Sequence, residues 1–87
     1  MTRTIRLRFF ASVREAVGIA QEELALPDEV RTVGQVRSLL VARGGVWADA
    51  LAEGRALRMA YNQQMTGADT PVGEGGEVAF FPPVTGG

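Results

Sequence analysis

The chain has no cysteine, no histidine and no lysine, and all nine of its basic residues are arginine. Each absence removes a class of chemistry. Without thiolates and imidazoles, zinc, copper and iron lose their usual protein ligands, so no metal centre is expected. Without histidine, proton transfer near neutrality would fall to carboxylates with displaced pKa values. A thiol nucleophile, a lysine Schiff base and a serine–histidine pair are excluded, as is sulfur carried on a side-chain persulfide. A self-sufficient enzyme, or a cofactor bound by this chain, is therefore not expected.

Other features are scarce as well. The first apolar stretch is broken by Arg3, Arg6 and Arg8 and falls far short of the roughly 20 residues of a membrane span. No secretory pattern opens the chain, so a cytoplasmic location without a membrane partner is the expectation. Net charge is −1 with no basic block, which argues against a nucleic-acid partner. What is present fits one small globular domain: 87 residues, 46% apolar and 22% charged. A chain of this size buries roughly 60–65% of its unfolded surface, which leaves no room for a second core.

Hydrophobic periodicity sets the order of elements. Residues 4 to 10 alternate, with Ile5, Leu7 and Phe9 on one face and Arg6, Arg8 and Phe10 on the other, a half-buried strand. Val13, Ala16 and Val17 follow at helical spacing up to Gly18, a helix-ending glycine. Residues 22 to 26 read as a second strand, closed by Pro27. Thr32 is an N-cap for the main helix, on which Val33, Val36, Leu39, Leu40 and Arg43 keep the 3.6-residue period as far as Gly44-Gly45. A short helical segment over 46–53 carries Trp47, read as core rather than as an exposed binding aromatic. Leu57, Met59 and Tyr61 alternate into a turn at Asn62-Gln63 and a short strand at 64–66. The glycine-rich stretch 71–76 has no helix after it and no lysine, so it reads as a turn and not as a phosphate loop. A final strand covers 77–81.

The order β-α-β-α-α-β-β-β, with one main helix to cover one face of a mixed sheet, predicts an α+β roll of the ubiquitin-like β-grasp type. In it the first and last strands lie side by side at the sheet centre. Residues 1–81 form the domain and residues 82–87 a flexible Gly-Gly tail. If Val78 and Phe80 face inward, Phe81 joins Phe10 on the open face, with Met65 beside them and Arg6, Arg8 and Arg58 at the rim. That is the composition of an interface centre. The competing reading has a bulge or strand end turning one of these aromatics inward.

The tail itself runs Pro82-Pro83-Val84-Thr85-Gly86-Gly87. The prolines favour an extended, unpaired path. Two glycines fit a channel too narrow for any Cβ, and Val84 to Gly87 span roughly 14 Å when extended. A frayed end would be ordinary for a terminus but leaves the stiff prolines unexplained.

The block Glu77 to Gly87, the opening Leu7-Arg8-Phe9-Phe10-Ala11-Ser12-Val13-Arg14-Glu15 and the Asn62-Gln63 turn closely resemble the MoaD-type sulfur carriers, the small subunits of molybdopterin synthases. The resemblance extends over essentially the whole chain, and it implies the following chemistry. An adenylyltransferase uses ATP and Mg to convert the Gly87 carboxylate to a glycyl adenylate, and a persulfide sulfur donor turns that into a thiocarboxylate, a 1-thioglycine. In a two-plus-two heterotetramer the tail, Pro82, Pro83, Val84, Thr85, Gly86 and Gly87, enters the active site of the large subunit. There Gly87 gives its sulfur to a cyclic pterin during molybdenum cofactor biosynthesis. Acid–base and substrate-binding residues belong to the large subunit, so this chain is a donor rather than a catalyst. Phe10, Arg14, Met65 and Phe81 fall where the family contacts its partner. Three alternatives remain open: a sulfur carrier for thiazole or tungsten cofactor assembly, a ubiquitin-like protein modifier, and a β-grasp interaction domain with an inert tail. The lack of lysine forbids only chains built on the protein's own side chains.

Overall fold

The computed structural model describes residues 3–52 and 54–83. Among them the elements run β1 (Arg3–Phe9), α1 (Ala11–Val17), β2 (Gln21–Leu26), α2 (Val33–Val41), α3 (Val46–Leu51), β3 (Arg58–Tyr61), β4 (Gln64–Thr66) and β5 (Glu77–Phe81). The five strands form one mixed sheet in the order β2-β1-β5-β3-β4. The two strands farthest apart in sequence, β1 and β5, pair in parallel at its centre, with Leu7 opposite Val78 and Phe9 opposite Phe80. This is the expected β-grasp arrangement.

Alternation decides which face is covered. Ile5, Leu7 and Phe9 of β1 and Val78 and Phe80 of β5 point to the helices, where Val33, Val36 and Leu40 of α2, Leu51 of α3 and Val13 of α1 close over them. Phe9 and Phe80 stack at 6.2 Å with their planes 14° apart. Each fully buried side chain of this size contributes on the order of 1.5–3 kcal/mol. The main helix alone does not cover the sheet: α1 and α3 pack on each other and α3 on α2.

Helix ends are closed by the residues their sequence supplies. Thr32 and Gln35 make a capping box on α2, the Thr32 hydroxyl accepting from the Gln35 N–H and the Gln35 side chain from the Thr32 N–H. Gly18 ends α1 at φ 83°, where its N–H donates to the carbonyl of Arg14. Helix α2 stops at Val41, and Arg43 lies in the turn that follows, which ends at Gly44 and Gly45 with φ 76° and 57°. The Arg43 guanidinium makes a two-pronged bond to Glu22 on the edge strand β2, at 2.9 and 2.5 Å, and lies 4.5 Å from the centre of the Trp47 ring. Trp47, half-buried, meets Phe9 edge-on at 5.4 Å. It is a lid on the core rather than part of its centre. Arg37 plays a similar structural part at the end of α3, donating to the carbonyls of Leu51 (2.7 Å), Ala52 (2.5 Å) and Arg55 (3.1 Å).

The 71–76 stretch is a turn, as expected. Tyr61 packs on it so closely that a Cβ at Gly76 would collide with the Tyr61 hydroxyl and ring, and that hydroxyl accepts from the Gly73 N–H at 2.8 Å. The Asn62-Gln63 turn uses positive φ at both residues, 50° and 70°. The Asn62 side chain accepts from the Glu77 N–H, which ties the turn to the start of β5.

The Glu22–Arg43 pair gives a pH test. The Arg43 hydrogen bond holds the Glu22 carboxyl below the usual glutamate range, against the opposing effect of partial burial. A carboxylate depressed in the folded state stabilises the fold above its unfolded pKa, and that contribution disappears as pH falls through the folded value. Glu22→Gln should therefore cost less than about 1 kcal/mol at neutral pH, because the pair is solvent-screened, and nothing once the wild-type carboxyl is protonated. Chemical denaturation of both chains from neutral to acid pH checks this; a difference independent of pH would assign the cost to packing.

Candidate functional site

Five-strand register places the same-face neighbours of the uncovered side. Across the sheet run Gln21, Arg8, Ala79, Ala60 and Met65, one residue from each strand. Beside that row Arg58 stands opposite Phe81, and Arg6 lies between Glu23 and Glu77. The predicted parity therefore holds: Val78 and Phe80 face the core, Ala79 and Phe81 the open side.

Phe10 reaches that side although it lies one residue beyond β1. Its backbone is still extended and its N–H donates to the carbonyl of Phe80 at 3.2 Å. The Phe10 and Phe81 rings meet edge-to-face at 6.4 Å, a favoured aromatic geometry. The Arg8 guanidinium carbon lies 5.4 Å from the Phe10 ring centre, and Arg8 also pairs with Glu77 at 3.7 Å. Phe10 is 41% exposed and Met65 61%, whereas Phe81 is half-buried beneath its neighbours. Arg14 is exposed on α1, one turn beyond Phe10, whose carbonyl accepts from the Arg14 N–H. The structure thus brings Phe10 and Phe81 together, sets Met65 across the face on the far edge strand, and places Arg14 on the adjoining helix.

Alternation places Ala79 on the open side with Phe81, but does not show its pairing with Ala60 between these groups. Ala60 and Ala79 are opposite each other and 7% and 5% exposed although they lie on the uncovered side. They form a shallow floor between Phe81 and Met65. Their signal was present in the strand alternation, as small residues at outward positions of the inner strands.

Pro82 and Pro83 continue from Phe81 without strand pairing and are half-buried. Pro82 forms one wall of a cleft of about 320 Å³ whose other sides come from Ser12 and Ala16 of α1, Ala50 of α3 and the segment Arg55 to Leu57. The predicted tail residues Val84, Thr85, Gly86 and Gly87 lie outside the described residues. Among the described residues no group of three or more acidic, histidine or cysteine side chains is placed to hold a metal, and no helix is long and apolar enough to cross a membrane. The face has an apolar floor, two aromatics and an arginine rim but no nucleophile paired with a base. Aromatics bordered by arginines are the composition found at interface centres.

The model of the ThiS family matches residues 7–87. The molybdopterin synthase sulfur carrier subunit of Escherichia coli K12 is 46% identical over 83 residues, 95% of this chain and 99% of the relative. Its counterpart from Haemophilus influenzae is 41% identical over the same shares. Among solved structures, the Haloferax volcanii HVO 2177 protein superposes with a TM-score of 0.78 at 32% identity, covering 99% of this chain and 88% of that one. Two more distant structures share the fold. The complex of subunits 1 and 2 of molybdopterin-converting factor from Helicobacter pylori has a TM-score of 0.61 at 21% identity, over 97% and 99% of the two chains. A Caldiarchaeum subterraneum ubiquitin has 0.57 at 18%, over the full length of both.

Proposed function

The chain belongs to the ThiS family, and from that membership we propose that it is the sulfur carrier and small subunit of a molybdopterin synthase, docking on the large subunit through its open face and carrying sulfur on Gly87. One coincidence carries this reading. Identity of 41–46% to sulfur carrier subunits over 95% of the chain meets, in the structure, an aromatic and arginine face whose Phe81 leads directly into the tail.

The division of labour follows from what the side chains lack. A terminal carboxylate, with an ordinary pKa of roughly 3.5, is ionised at neutral pH and is a poor acyl donor. An activating partner must supply Mg·ATP: a Gly87 oxygen attacks the α-phosphorus, pyrophosphate leaves, and a mixed anhydride with AMP results. A persulfide donor then attacks the carbonyl carbon and AMP leaves with that oxygen, giving an acyl disulfide; a thiol on the donor side cleaves its S–S bond, so that the donor is left as a disulfide and Gly87 as the thiocarboxylate. The prolines stiffen the approach to the large subunit's active site, where the sulfur passes to a cyclic pterin. Proton transfer and substrate binding fall to the large subunit, since this chain offers no histidine, lysine or cysteine for them. The assembly is two-plus-two and cytoplasmic.

Intact mass spectrometry tests the reading. The chain recovered from cells that make molybdenum cofactor should include a species in which one terminal oxygen is replaced by sulfur, and that species should disappear when the activating enzyme is deleted. A chain recovered only as the carboxylate, or joined through Gly87 to lysine amines of other proteins, would overturn it.

A further inference from the structure

Strand β1 passes into α1 through one linking residue, Phe10, with φ −128° and ψ 153°. The change of direction is completed at the next position, where Ala11, the first residue of α1, has φ 51°. That left-handed region disfavours any residue with a Cβ, and glycine, asparagine or aspartate is the usual occupant. The Ala11 side chain is exposed, so core packing does not dictate its choice. What the step holds is its neighbour. Phe10 donates its N–H to the Phe80 carbonyl (3.2 Å), and its own carbonyl accepts from the N–H groups of Val13 (3.1 Å) and Arg14 (3.3 Å). Phe10 is thus fixed on both sides, to the central strand and to the first turn of α1, with its ring against Phe81 and beneath Arg8.

We infer that Ala11 is a positioning residue: its left-handed backbone holds the Phe10 ring against Phe81 and so pre-forms the centre of the docking face. The docking half of this inference rests on the function proposed above; the ring-holding half does not. A backbone at residue 11 that left the left-handed region would change the direction of the chain between two hydrogen-bonded anchors, and Phe10 would have to release one of them.

Ala11→Val meets solvent rather than core, and its β-branched side chain opposes the left-handed conformation. In the isolated chain the nuclear Overhauser contacts between the Phe10 and Phe81 rings should disappear. Affinity for the large subunit should fall about thirtyfold, as for a hot-spot aromatic. The double variant Ala11→Val/Phe10→Ala should bind no more weakly than Phe10→Ala alone, because both changes remove the same contact. Persistence of the ring contact in Ala11→Val, or additive losses in the double variant, overturns the inference. Ala11→Gly adopts the left-handed conformation freely and should keep both the ring contact and an affinity within about twofold; loss of the ring contact there overturns the inference even if the valine variant does not fold. If Ala11→Val loses the ring contact while neither it nor Phe10→Ala weakens binding, the ring-holding role stands and the docking face is refuted.

Discussion

Deleting Gly87, or adding one residue after it, should leave the melting curve unchanged and reduce sulfur transfer by more than about a hundredfold. The reasoning is geometric. One residue of extended chain moves the terminal carbon by about 3.4 Å, whereas reacting atoms must approach to about 3–3.5 Å in good alignment. No side chain of the protein can take over, because every alternative nucleophile for sulfur carriage is missing from the sequence. Reconstituted synthesis with purified large subunit, precursor and chemically thiocarboxylated chains measures the effect. Near-normal turnover by either length variant would show that the sulfur does not travel on the terminal carbon.

The second large effect separates adjacent phenylalanines of β5. Phe80 is fully buried, stacked on Phe9, and Phe80→Ala should cost about 3–5 kcal/mol of folding stability. Phe81 is half-buried on the opposite face, with Phe10 as its ring partner. Phe81→Ala should cost about 1 kcal/mol of stability, the scale of one aromatic pair, but at least about 2 kcal/mol of affinity for the large subunit. Denaturation and calorimetric binding on both variants decide the matter. A Phe81→Ala chain that is severely destabilised yet binds normally when folded would move the docking face elsewhere.

Much of this was legible in the residues, and the reason is periodicity. The alternation in β1 and β5 assigns each aromatic to a face, and a residue buried on one side of a central strand leaves its neighbours no choice. Capping residues made α2 readable in the same way, through Thr32 and Gln35. The parts that escaped depend on contacts distant in sequence. Nothing local shows that Arg37 reaches the end of α3 or that Arg43 bridges Glu22 and Trp47, because a guanidinium's partners are set by tertiary placement. The left-handed backbone of Ala11 was invisible for another reason: alanine at a helix start reads as an ordinary helix former. The pairing of Ala60 with Ala79 needed the register of β3 against β5, which strand alternation alone does not fix.

The position of β5 between β1 and β3 also has a mechanical meaning. Traction applied along the chain beyond Phe81 runs parallel to the strand, so the ladders on both sides are loaded in shear and all their bonds share the force. At a sheet edge, the same pull directed outward would open the bonds one after another. The domain should therefore stay folded under a pull on its end that would unzip an edge strand, and force spectroscopy through residue 83 should record a rupture peak well above that of the same domain pulled outward from β4.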